Sequence, residues 1–141
     1  MTRDVLLATR WSEIGDKIVK LAEVCPADHY EFRPVPDVRT FGDQLRHVAF
    51  WNDYVHKTIK GEPANGDANE LPRDAFPTKP KVVTALRSSF ADVADEIVKR
   101  GDSLAASDVD TLVSFIEHTG EHYGQLVVYS RLNGVVPPAS R

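Results

Sequence analysis

His118 and His122 stand four residues apart, with a third histidine, His47, far upstream. Side chains at i and i+4 are neighbours on one face of a helix. If that segment is helical, the pair forms a two-point chelate for a transition metal. Two ligands from one helix seldom suffice, and a third from a neighbouring helix would complete a facial set. His47 is the candidate, because it falls on the edge of an apolar arc. Three neutral imidazoles would leave a dication its full charge and at least one open position. Such a site can lower the pKa of bound water or of a bound thiol toward neutrality. The pattern alone also allows a plainer reading. Inward histidines are often satisfied core residues, and His-x-x-x-His pairs also occur on surfaces. Of the other two histidines, His56 falls beside a charged arc and reads as solvated. His29 sits in a proline-rich connection, with no role assigned.

Helical geometry supplies the surroundings. Gln44 lies one turn before His47, while Gln125 and Tyr129 follow His122 on its face. All three are candidates to orient the imidazoles or a bound substrate, and hydrogen bonding at a bundle end would explain them equally well. Asp43, four residues before His47, reads as a helix cap rather than a fourth ligand. Cys25, the single cysteine, reads as a small buried hydrophobe. Trp11 and Trp51 read as core or pocket wall.

His118-Thr-Gly-Glu121-His122 also matches His-x-x-Glu-His, the inverted zinc-protease signature. Glu121 argues against that chemistry. It is turned about 100° from His122 and roughly 60° from His118, off the face they share. We read it as a solvated helix residue. Gly120 and Gly124 flank the motif and suggest close helix packing.

The elements that must position these groups are helices. Leu7, Trp11, Ile14, Ile18, Leu21 and Cys25 form one stripe of a helix over about 4–24, stopped by Pro26. Residues 26–39, with Pro26, Pro34 and Pro36, read as an irregular connection. A second helix starts at Thr40, whose hydroxyl caps it. Asp43 three residues on resembles a capping box. It ends near Lys60, with Gly61 as C-terminal cap. On it Arg46, Asp53, Lys57 and Lys60 gather on a narrow arc that reads as the solvent face. Phe41, Val48, Trp51, Val55 and Ile59 lie opposite. Residues 61–80 are rich in Pro, Gly and Asn. A structureless stretch that long fits a crossover along a bundle. A third helix runs from about Pro80 to Gly101 on the stripe Val82, Leu86, Phe90, Val93 and Ile97. A fourth starts around Asp108 or Asp110 and runs to Asn133, with Gly134 as cap and Pro137-Pro138 as stop. No strand is expected. The fold class is therefore all-α. Four helices of roughly 20 residues, about 30 Å each, fit a four-helix bundle.

The chain has 141 residues, a size for one domain with one core. Its 17 basic and 21 acidic residues are interspersed and give a net charge of −4, so no basic stripe speaks for nucleic acid. No apolar run approaches a membrane span. A lone cysteine rules out an internal disulfide, and no signal-like apolar stretch opens the chain. A cytoplasmic protein is expected.

Two segments carry a resemblance. One is Thr40-Phe-Gly-Asp-Gln44-Leu-Arg-His47-Val-Ala. The other is His118-Thr-Gly-Glu-His122-Tyr-Gly-Gln125-Leu-Val-Val-Tyr-Ser-Arg-Leu-Asn-Gly-Val-Val-Pro-Pro. Together they resemble the second and last helices of the DinB-like metalloproteins. The resemblance implies a bundle in up-down-down-up order, with the long crossover between helices 2 and 3. It implies that His47, His118 and His122 bind a divalent ion, commonly zinc or nickel, with water on the remaining positions. It also implies a homodimer. Some relatives are S-transferases or isomerases that use a low-molecular-weight thiol such as bacillithiol or mycothiol, whereas many have no known activity. Three functions follow for this chain. The first is thiol transfer to a small electrophile. The second is hydrolysis by metal-bound hydroxide. The third is a non-catalytic, dimeric metal-binding protein of stress response.

Overall fold

The computed structural model describes residues 1–141, and they form four helices without a strand. These are α1 (Arg3–Val24), α2 (Phe41–Ile59), α3 (Lys79–Arg100) and α4 (Ala106–Leu132). Short 3-10 turns at Ala27–Glu31, Gly101–Ser103 and Pro138–Ser140 complete the regular structure. The expected stripes are the core, except that Ile14 and Trp51 are only half-buried. Trp11, Ile18 and Leu21 meet Leu45, Val48, Val55 and Ile59, together with Leu86, Val93, Ile97, Leu112 and Leu126, all essentially inaccessible to water. Trp11 buries its indole and still satisfies its N–H, which donates to the Phe90 carbonyl at 3.0 Å. Cys25 is buried at the end of α1, and burial pushes its thiol up to about 11.

Contacts between helices fix their directions. Trp11 meets Phe90, and Glu23 pairs with Arg87, so α1 and α3 are antiparallel. Asn52 bonds Ser89, and Arg100 reaches the Ile59 carbonyl, so α2 and α3 run parallel. His47 meets His118, and Gln44 meets His122, so α2 and α4 are antiparallel. The order is up-down-down-up, with α3 and α4 each wedged between α1 and α2. A parallel α2–α3 pair obliges the chain to return the length of the bundle between them. Residues 60–78 do so alongside α2, where Leu71 N–H donates to the Arg46 carbonyl at 3.2 Å.

Four expectations need correction. Arg46 is not on a solvent face: it is only 3% exposed. The returning crossover covers it, and the guanidinium donates to the Phe76 carbonyl at 2.9 Å and to Asp43 at 3.0 Å. A helical wheel cannot see a loop that folds back over it. The capping box at Thr40 is only half formed. Thr40 Oγ1 accepts from Asp43 N–H at 3.1 Å, but the Asp43 carboxylate turns instead to Arg46 and Arg73. Helix α4 starts earlier than Asp108, because the Asp108 carboxylate reaches back to the Ala105 N–H at 2.9 Å and caps the turn before it. Gly120 and Gly124 do not mediate close packing, since a Cβ at either would meet nothing within 4 Å.

Arg46 clamps the crossover to α2, and a buried hydrogen bond to a charged donor contributes about 1.5–3 kcal/mol. Arg46→Met should lower stability by roughly that amount in urea denaturation. It should also open residues 60–78 to limited proteolysis while the circular dichroism stays helical. An unchanged urea midpoint would show that the clamp contributes nothing.

Candidate metal centre

The antiparallel α2–α4 seam brings together the three histidines that the sequence singled out. One ring nitrogen from each of His47, His118 and His122 lies within 4.8 Å of the others, a group that could hold a metal ion. His47 Nε2 stands 3.1 Å from His118 Nε2. The ring centroids of His122 lie 4.6 Å from those of both His47 and His118. His47 is buried, and the two α4 histidines are half-buried.

Hydrogen bonds at the far side of two rings set the chemistry. His47 Nδ1 meets the Asn69 carbonyl at 2.6 Å. A carbonyl only accepts, so Nδ1 carries the proton and Nε2 is left as a lone pair. His122 Nδ1 meets Gln44 Oε1 at 3.0 Å, which assigns the same tautomer there. Two lone pairs thus converge on the space beside His118. Without an ion, His118 Nε2–H donates to the His47 lone pair at 3.1 Å; a cation can take that proton's place, and this anchoring of the second ring nitrogen is how metal-ligating histidines are oriented. The donor set is all imidazole, which suits zinc, nickel, copper and iron alike. The residues present fit a divalent transition metal.

The same burial keeps the rings neutral. It pulls His47 down to about 4, with the positive charge of Arg39 adding to it and the Asn69 carbonyl opposing. His122 is likewise pulled down to about 4, by burial first and then by its histidine neighbours and Arg39. His118 is lowered by burial, with Glu121 opposing. Neutral imidazole is the form that binds a metal.

Gln44 does its work across the helix seam, on His122, rather than on the histidine one turn along its own helix. Gln125 is exposed and lines a polar cleft of about 730 Å³ that opens beside His122. Tyr129 lines the same cleft but is buried and touches no imidazole; its hydroxyl donates to the Arg39 carbonyl at 2.8 Å. Asp43 also borders the cleft, with its carboxylate taken by Arg46 and Arg73. On the other side Phe115 packs against His118 at 5.4 Å and stacks on Trp51 at 5.5 Å. Glu121 is exposed and outside the cluster, which leaves the protease signature without its base. His56 is half-buried away from the cluster, and so is His29.

Sequence reasoning missed Asn69. It sits in the crossover with φ of +63°, the one non-glycine residue at positive φ. Asparagine tolerates that left-handed conformation better than other L-residues. Its carbonyl holds His47, and its side chain accepts from Trp51 Nε1 at 2.9 Å. Gly66 lets the crossover approach, since a Cβ there would come within 2.5 Å of the Trp51 ring. The only signal in the sequence was a run of turn-forming residues, which marks a turn and not what the turn touches.

The lowered histidines set a direction for acid sensitivity. The unfolded chain takes up these protons near pH 6.5, whereas the folded chain holds off until about pH 4 at His47 and His122. Between those values the unfolded state carries more protons, so stability rises with pH. Metal-free protein should therefore lose thermal stability as pH falls from 6.5 to 5, above the carboxylate range. His47→Gln with His122→Gln should flatten that slope. Equal slopes in both proteins would show that these imidazoles are not held neutral.

No curated protein matches the chain at a significant level. The profile of the DinB superfamily matches residues 10–126, a span that contains all three clustered histidines together with Gln44 and Asn69. With most of its length matched and the three-histidine cluster at the α2–α4 seam, the chain belongs to the DinB superfamily.

Proposed function

We propose that His47, His118 and His122 hold one divalent transition metal, zinc or nickel, through their Nε2 atoms. On that ion the protein would transfer a low-molecular-weight thiol to a small electrophile. The observation that carries this reading is the anchoring of His47 and His122 at Nδ1, which aims two lone pairs at one point beside an accessible cleft. A structural site is normally closed by four protein ligands, often including cysteine. This cluster has three and no carboxylate or sulfur. A bound ion supplies Lewis acidity, which lowers the pKa of a thiol in its open position.

The chain's own residues do the rest. Asn69 and Gln44 hold the imidazoles in the ligating tautomer. Phe115 and Trp51 close one flank, and the cleft on the other admits a small molecule. The sulfur must come from outside, because Cys25 is buried, fully protonated at neutral pH and not part of the cluster. In the transfer, the sulfur forms a bond to an electrophilic carbon. The leaving group departs with its bonding pair, and the thiol proton passes to solvent.

Tag-free protein should carry about one equivalent of transition metal. The His47→Ala, His122→Ala double variant should carry none while remaining helical. Gln44→Leu should weaken the metal by about 10–100-fold in chelator competition. Thiols should add a sulfur-to-metal charge-transfer band to the cobalt-substituted protein and be consumed with an alkylating electrophile. Turnover of activated esters without thiol would reassign the protein as a metal-dependent hydrolase. A coordination sphere that neither thiol nor azide perturbs would leave a non-catalytic metal-binding protein.

A further inference from the structure

Five of the eleven residues lining the cleft beside His122 are charged. Only two of its eleven lining residues are hydrophobic. Two arginines, Arg33 and Arg39, stand on its wall. Arg33 pairs with no carboxylate; its Nη1 makes long contacts of 3.3 and 3.5 Å to the Pro36 and Val38 carbonyls. Arg39 pairs with Glu70 at 3.1 Å, both about one-third exposed. Its charge bears on all three imidazoles. Asp37 and Glu70 balance the two arginines, and Asp43 is matched by Arg46 and Arg73. A dication on the histidines would tip the cleft positive, although the chain as a whole carries a net charge of −4. Arginine offers a planar fork that matches a carboxylate.

The anchoring is also shared. Asn69 and Glu70 are consecutive: the first holds His47 and the second holds Arg39. Tyr129 fixes the Arg39 backbone from α4. The cation that faces the cleft and the imidazole that faces the metal are therefore set by one turn of the crossover.

We propose that this cleft selects small molecules bearing a carboxylate, received by Arg33 and Arg39 while the reacting group sits at the histidine cluster. The inference rests on the thiol-transfer reading in taking the cluster as the reacting end. The carboxylate belongs either to the thiol or to its acceptor, and the two sources separate in the test.

The protein loaded with one equivalent of cobalt is titrated with mercaptosuccinate and with 2-mercaptoethanol, read by the charge-transfer band. Calorimetry with succinate and with the neutral succinamide forms a second arm, in the presence of saturating 2-mercaptoethanol. We expect the dianion to bind more tightly than its neutral counterpart by roughly 10- to 100-fold in at least one arm. Arg33→Gln and Arg39→Gln should erase the preference, read in each variant as the ratio of the charged ligand's affinity to its neutral counterpart's. Glu70→Gln, which frees Arg39 from its competing carboxylate, should strengthen it. Preference with mercaptosuccinate places the carboxylate on the thiol, and preference confined to succinate places it on the acceptor. Equal affinities in both arms, or a preference that survives the arginine substitutions, would overturn the inference and leave the thiol reading standing. Absence of any thiol band would remove the thiol reading, and succinate alone would then decide on the carboxylate cleft.

Discussion

Two imidazole lone pairs aimed at the same small space repel each other unless a donated proton, such as that of His118, or a cation lies between them. That constraint organises the centre of this protein. It exists because the far side of each ring is already committed, His47 to the Asn69 carbonyl and His122 to the Gln44 amide oxygen. Without those two hydrogen bonds either ring could turn over, place a proton inward and satisfy itself as an ordinary core histidine. With them, the seam between α2 and α4 carries a preorganised set of donors, and burial holds the rings unprotonated well below neutral pH.

The bundle order makes the arrangement possible. An antiparallel α2–α4 pair sets the first turns of α2 beside the middle of α4, which puts Gln44 and His47 level with His122 and His118. A parallel α2–α3 pair forces a long return strand of chain. That return passes directly over the upper part of α2, where Asn69 meets His47, Leu71 meets the Arg46 backbone and Phe76 meets the Arg46 guanidinium. The crossover is thus a third wall of the site as well as a connection. Its left-handed residue costs about 1–2 kcal/mol for an ordinary L-residue and less for asparagine. Two hydrogen bonds from the α2 side chains His47 and Trp51 hold it there.

Charge is arranged on the same plan. Asp43 collects Arg46 from its own helix and Arg73 from the crossover, and Arg73 reaches on to Glu31 before α2. These pairs tie the returning chain to the connection on either side of Thr40. They also occupy the Asp43 carboxylate, which borders the cleft. The partly exposed Arg73 pairs contribute little individually, but together with the buried Arg46–Asp43 pair they fix the mouth of the cleft. The aromatic flank of Trp51 and Phe115 does the complementary job, closing the side away from that mouth with apolar surface.

Periodicity and capping chemistry are local, and they made the helices legible in the chain. The stripes from Leu7 to Cys25 and from Val82 to Ile97 settled which faces are buried, and Gly61, Gly101 and Gly134 all take the positive φ their terminating positions require. The i, i+4 spacing placed His118 and His122 on one face, and the apolar arc of α2 turned His47 inward. What the sequence could not determine depends on segments distant along the chain meeting in space. Arg46 reads as solvated on any helical wheel and is buried because residues 60–78 fold back over it. Gln44 reads as a neighbour of His47 and serves His122. Asn69 reads as one more turn residue and holds His47. The candidate histidines were therefore set by helical spacing, whereas their tautomers, their open side and the charge around them were decided only by tertiary structure. A hydrogen bond's partner is a property of geometry across the fold, not of order along the chain.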